Sequence, residues 1–486
     1  MGAHCAPAIC KNNYKNNICA ILPISICQMI LYIKRTIDER HLITKNEEDI
    51  MLIKDQQLSR SRTAILGLQH MFAMFGATIL VPILSGLSVQ VTLVATGIGT
   101  LIFHLCSKGR VPAFLGSSFA FLVGIQLITN PETGIFAGSG MAQQEKLAYA
   151  TGGILAAGIL YLIFALIVKL VGVKRFMKFV PPVVTAPTVF LIGLMLAPFA
   201  INQSSNNIFL AVLTLAIVII TSSWGKGMMK IIPILLGIAG AYAVALIMHS
   251  VGMTNPNGTA IIVFATEGAS LVGMPPFMLP RFDLVAILIM VPFAIATIAE
   301  HVGDMVALST IAGEDLTEDP GLYRTLMGDG LASIFAGLIG GPANTTYGEN
   351  VGVIALTKVF NSRVVQLAAI YAVVLGFSPL FANIIYSIPT AIIGGASFML
   401  YGMIAAVGIR NLVDNRVDVS KTKNLTIIAV MVVMGLGLRF GQPITFTIGT
   451  ANIPVDRLGI AIAVILGIFL NAVLPDEKDE EIKEEK

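Results

Sequence analysis

Residues 297–304 read Thr-Ile-Ala-Glu-His-Val-Gly-Asp and close an apolar run that begins near Leu284. If this run is helical, Glu300 and Asp304 are four apart and share one face. Carboxylates inside a bilayer span are costly, and they usually mark a ligand or a proton path. Glu300 is the deeper of the two, so it is the first candidate for both roles. Asp304 is either the next stop for a proton or, if the helix ends there, a solvated loop residue. His301 points elsewhere on the helix. Its type suits a structural hydrogen bond or a proton carrier. His70, in Gln69-His70-Met71-Phe72, either faces the same cavity or bridges helices.

Two polar, glycine-rich interruptions lie inside other apolar stretches. One is Leu115-Gly116-Ser117-Ser118-Phe119-Ala120-Phe121. The other is Pro342-Ala343-Asn344-Thr345-Thr346-Tyr347-Gly348-Glu349-Asn350, with a third carboxylate, Glu349. A membrane protein can break a helix at depth only where protein or a cavity satisfies the backbone. Each interruption predicts an extended piece that enters a short helix. The first N–H groups of such a helix have no intrahelical partner and carry the positive end of the dipole, so they suit a carbonyl oxygen or an anion. Gly116-Ser117-Ser118 taken alone would also fit tight packing of small residues.

The elements that position these groups follow from the hydropathy. The chain is 56% hydrophobic and only 12% charged, with mean hydropathy +0.84, whereas soluble domains carry about 25% charged residues. Runs of spanning length recur roughly fourteen times, counting the interrupted ones. They fall near 63–84, 87–106, 112–128, 147–170, 180–200, 207–223 and 231–249. The second set lies near 283–304, 323–339, 347–358, 363–380, 383–407, 424–440 and 455–474. The expected fold is all-α and integral to the membrane, a 7+7 inverted repeat with short strands breaking spans 3 and 10. Odd halves insert with opposite orientation, and paired interrupted spans point to a binding site near the midplane. Residues 250–281, rich in Gly and Pro, would join the halves outside.

Basic residues cluster on alternate loops: Lys108 and Arg110; Lys169, Lys174, Arg175 and Lys178; Lys226 and Lys230; Lys358 and Arg363; Arg410, Arg416, Lys421 and Lys423. The positive-inside rule places these loops and both chain ends in the cytoplasm. Residues 475–486 are a solvated acidic tail. Residues 1–60 differ from the rest and are expected to be dispensable, with Met51 as a workable start. Four of five cysteines fall in that extension, so no disulfide framework is expected, and the spacing of His4, Cys5 and Cys10 matches no standard metal site. No nucleotide phosphate loop, zinc-protease motif or serine-hydrolase elbow is present in the sequence, which argues against an enzyme and against a cofactor.

Several long stretches in order resemble the nucleobase–ascorbate transporter family. Glu349-Asn350-Val351-Gly352, then four residues and Thr357-Lys358, is similar to its signature. Gln69 to Thr78, Pro112 to Phe121, Ala299 to Gly303 and Gly341 to Asn350 resemble the bacterial uracil permease branch, and the likeness spans about 58–474. It implies a core domain (61–172 and 282–382) and a gate domain (173–281 and 383–474) that move as an elevator in a homodimer. It further implies that Glu300 and Glu349 hydrogen-bond a uracil ring while backbone amides of Phe119 and Gly348 meet its carbonyls, with proton symport across the plasma membrane. Asp304 departs from the pattern, since several proton-coupled members have His there. Glu300, Asp304, His301 and His70 are the coupling candidates. The expected partners are uracil or a related nucleobase, protons and the lipid bilayer, with no nucleic acid. The alternatives are a xanthine, purine or broader pyrimidine permease, or an anion exchanger or channel on a similar fold. Acidic site residues argue against an anion.

Overall fold

The computed structural model describes residues 58–132, 134–179, 181–264, 270–442, 444–448 and 451–475. Residues 1–57 of the N-terminal extension, the acidic tail from residue 476 and the Glu349 side chain lie outside the described residues. The chain opens with α1 (Arg60–Ser85) and α2 (Val89–Cys106). Strand β1 (Leu115–Ser117) and the short α3 (Ala120–Thr129) follow, then α4 (Gln143–Val171). Next come α5 (Val173–Phe179), α6 (Pro182–Ser204), α7 (Ile208–Trp224), α8 (Met228–Ile231) and α9 (Pro233–Ser250). The second half repeats the opening order with α10 (Leu284–Ala312), α11 (Leu322–Ile339), β2 (Asn344–Thr346) and the short α12 (Gly348–Thr357). It ends with α13 (Ser362–Gly376), α14 (Pro379–Tyr386), α15 (Thr390–Asp414), α16 (Thr422–Phe440), a hairpin of β3 (Thr445–Ile448) and β4 (Ala451–Pro454), and α17 (Gly459–Val473).

Among the described residues, eight helices are long and apolar enough to cross a membrane, or nine if the bent pair α13–α14 forms one span. The apolar helices α3, α7 and α17 are shorter. Polar side chains start several helices by accepting first-turn N–H groups: Asn207 for Leu210, Asp283 for Ala286, Asn361 for Arg363 and Ser378 for Phe381.

Three expected boundaries are corrected. Helix α10 does not end at 304 but runs to Ala312, where Gly313 adopts the left-handed conformation that closes helices. Met305, Ala307 and Leu308 are good helix formers, so the polar pair Gly303-Asp304 interrupts nothing. The run 363–380 is not straight: it bends by 86° between Gly376 and Pro379, because Pro379 cannot continue the preceding helix but starts the next one well. The expected span 383–407 lies at 390–414, its start delayed by Pro389.

The helices pack in two sets. One holds α1, α2, α3, α4, α10, α11, α12 and α13; the other holds α6, α7, α9, α15, α16 and α17. They meet chiefly where α10 and α3 touch α6, α10 touches α17, and α9 touches α1. Small residues set the closest approaches within each set. A Cβ on Gly158 of α4 would lie 2.9 Å from the Gly330 carbonyl of α11, and one on Gly408 of α15 would lie 2.7 Å from the Ala186 carbonyl of α6. Packing and backbone proximity, rather than hydrophobic drive, hold helices together in lipid.

Candidate functional site

The two interruptions meet. Strands β1 and β2 pair antiparallel, with Leu115 opposite Thr346, Gly116 opposite Thr345 and Ser117 opposite Asn344. All six residues are buried, so every polar group there needs a partner. Leu115 N donates to Thr100 Oγ1 at 2.9 Å, and Ser118 N donates to the Ala343 carbonyl at 2.9 Å. The Asn344 amide donates to the Ala95 carbonyl at 2.9 Å, while Ser333 Oγ donates to the Asn344 carbonyl at 2.8 Å. Tyr347 Oη donates to the Ser117 carbonyl at 2.7 Å, and Ser117 Oγ to the Thr78 carbonyl at 3.0 Å. The Tyr347 ring lies over Gly116 so closely that a Cβ there would stand 2.1 Å from two ring carbons.

From this crossing the chain enters α3 after Phe119 and α12 after Tyr347. Neither helix has a side-chain N-cap; the Leu122 N–H of α3 turns back onto the Phe119 carbonyl at 3.1 Å, and helix-start N–H groups without a side-chain cap suit a ligand. Gly348 and Gly352 line a cavity of about 640 Å³, within the ordinary range of ligand pockets, ~300–1,000 Å³. Its other walls come from α10 (Ile298, Ala299, Val302, Gly303), the start of α6 (Pro182, Thr185) and the end of α15 (Arg410, Asn411). The Arg410–Asp414 ion pair, 3.1 Å apart and exposed, stands at its rim.

The predicted residues are placed as follows. Gly348 lines the cavity itself. Glu300 is half-buried between the lining residues Ala299 and Gly303. Asp304, also half-buried, puts Oδ1 3.4 Å from where a Gly348 Cβ would stand, next to the start of α12. Asp304 is therefore a mid-helix group beside the site and not a loop residue. Phe119 is buried just before α3 and meets the ring of Tyr401 from α15 edge-on at 6.4 Å. His70 is buried within α1 and is not among the residues that line the cavity.

His301 turns away from the cavity. Its ring nitrogens reach Thr346 Oγ1 at 3.1 Å, Thr325 Oγ1 at 2.8 Å and Asp329 Oδ2 at 2.9 Å, all in the buried interior. Asp329 is a residue that sequence reasoning passed over. It is fully buried on α11 and links His301 to β2 by accepting from Thr346 N at 3.4 Å. The signal was there: a carboxylate between two glycines inside a predicted span. Tyr401 was missed for a different reason, since an aromatic residue in an apolar run carries no distinguishing mark.

Residues 61–444 match the profile described as Permease family, the xanthine and uracil permeases. The chain belongs to the nucleobase–ascorbate transporter family. It is 40% identical over 433 residues to the uracil permease of Bacillus subtilis (strain 168), covering 85% of this chain and 93% of that one. It is 39% identical over 441 residues to a putative pyrimidine permease, RutG, of Escherichia coli (strain K12), covering 89% and 94%. Among solved structures, the transmembrane domain of the cyanobacterial bicarbonate transporter BicA aligns with TM-score 0.56 at 16% identity over 86% of this chain and 98% of that one. The murine anion transporter Slc26a9 aligns with TM-score 0.61 at 11% identity over 86% and 69%. These two likenesses concern the fold. As a family member with several spanning helices, the protein is a multi-pass membrane transporter and not an enzyme.

Proposed function

We propose that this transporter imports uracil across the plasma membrane by proton symport. The observation that carries it is the pairing of two uncapped short helices, α3 and α12, across β1–β2, with Glu300 and Asp304 alongside and the cavity leading to Gly348. Uracil is a small ring with alternating N–H donors and C=O acceptors. Helix-start amides at Phe119 and Gly348 suit its carbonyls, and the carboxylates of Glu300 and Glu349 suit its N–H groups. A ring lacking one donor would strand a buried acceptor, a mismatch that can discriminate by about 10⁴-fold or more. The uracil permease relatives support the same substrate. A purine or broader pyrimidine range is the nearest alternative. The fold likeness to anion carriers does not favour an anion, because carboxylates repel one.

The same reading takes the interrupted, shorter and bent helices as further crossings, fourteen in all, arranged as a 7+7 inverted repeat with both ends in the cytoplasm. The α1–α4 and α10–α13 set acts as a core that slides against the α6–α9 and α15–α17 gate in each protomer of a homodimer. Glu300 carries the proton and Asp304, about one turn away, relays it; His301 and His70 are secondary candidates. The deciding experiment is uptake of labelled uracil into proteoliposomes with and without an imposed pH gradient. Accumulation that follows the gradient supports symport; a sodium requirement rejects proton coupling, and absence of uracil uptake with xanthine uptake present rejects the substrate.

A further inference from the structure

A second cavity shares no residue with the site. It measures about 470 Å³ and lies between the end of α2 and the start of α13, lined by Leu101, His104, Leu105, Lys108, Gly109 and Gln366. His104 is only 3% exposed. Its ring nitrogens are sealed beside the Ala113 backbone, so His104 forms part of the closed floor of the cavity. Lys108 is held in the left-handed backbone region, φ 56°, with the loop closed by the Gly109 N–H on the His104 carbonyl at 2.7 Å. Its side chain is exposed. Arg363, also exposed, precedes Gln366 by one helical turn on the same face of α13.

None of the lining residues is acidic, and Asp319 in a neighbouring loop is already paired with Arg110. The apolar wall is distinctive: Leu105 is 80% exposed at the end of a membrane helix. A cation pair and the half-buried Gln366 amide beside an apolar surface at the basic end of the bundle match a phosphodiester carrying acyl chains. We infer that this cavity binds the headgroup of an anionic phospholipid. Lys108 and Arg363 face the phosphate, Gln366 donates to one of its oxygens, and Leu101 and Leu105 run along the first acyl carbons.

The test uses the full chain, delipidated in detergent and offered phosphatidylglycerol, phosphatidylethanolamine or inorganic phosphate, with bound species counted by native mass spectrometry. The site predicts retention of phosphatidylglycerol well above phosphatidylethanolamine. Lys108→Asn keeps the left-handed backbone, which Asn tolerates, and should lower phosphatidylglycerol retention by roughly fivefold, the worth of one basic group at a membrane surface. Lys226→Asn, on a different basic loop, should change nothing. Gln366→Leu keeps the volume without a donor and should weaken retention further. Equal retention of both lipids overturns the proposal, as does wild-type retention by Lys108→Asn. Saturable binding of inorganic phosphate that displaces the lipid also overturns it, in favour of a soluble anion site.

Discussion

Gly116→Ala is a sharp probe of the strand crossing. The added Cβ would stand 2.1 Å from Cε2 and Cζ of Tyr347 and 2.6 Å from its hydroxyl oxygen. A ring edge can often swing aside, but this one is pinned by its hydrogen bond to the Ser117 carbonyl at 2.7 Å. Overpacking of this kind costs about 1–3 kcal/mol. Losing the pinning bond adds about 0.5–1.5 kcal/mol. Together about 2–4 kcal/mol is lost from the site-competent arrangement, which weakens binding by roughly 30- to 1,000-fold at 1.4 kcal/mol per decade. The assay is equilibrium binding of labelled uracil to purified protein, with size-exclusion behaviour confirming a folded preparation. Tyr347→Ala in the same chain removes the clash, so the double variant should bind better than the sum of the single losses allows. A folded Gly116→Ala protein that binds uracil at wild-type strength refutes the argument.

Glu349→Gln should abolish uracil binding, because an amide cannot offer two acceptors to ring N–H groups; wild-type binding in detergent rejects that ligand role. Glu300→Gln should retain binding while its uptake stops responding to a pH gradient, and full gradient-driven accumulation would move the coupling role to Asp304, His301 or His70. Asp329→Asn disturbs a buried partnership with His301 and Thr346 N and should cost about 1–3 kcal/mol; an unchanged melting temperature refutes that structural role. The exposed Asp315 carboxyl is held below its usual value mainly by the Thr317 hydroxyl. Its small contribution is therefore present above pH 3.8 and lost only as pH falls further, so Thr317→Val should leave the uptake profile between pH 5 and 8 unaltered.

The site was half legible in the sequence. The interruptions at 115–121 and 342–350 stood out because glycine and hydroxyl residues are expensive inside apolar spans unless something receives them. Glu300 and Asp304 stood out by spacing. The direction of His301 did not, because Thr325, Thr346 and Asp329 come from other elements, and only tertiary packing decides which face of α10 turns inward. The bend before Pro379 was readable from the proline but was overridden by continuous hydrophobicity. The end of α10 was misread for the opposite reason, since a polar pair looked like a boundary where the helix continued.

The β1–β2 ladder joins residues 230 positions apart, as the Tyr347–Ser117 bond measures. Until the second strand is made, β1 has no mate. At about 5–20 residues per second, the first half waits roughly 10–50 s with exposed backbone groups at membrane depth. A nascent half-protein is thus a poor guest in the bilayer, and release of a chain truncated near residue 250 should expose it to membrane proteases. The crossing makes the two halves interdependent during synthesis, so that separately expressed halves should persist only when they are made together.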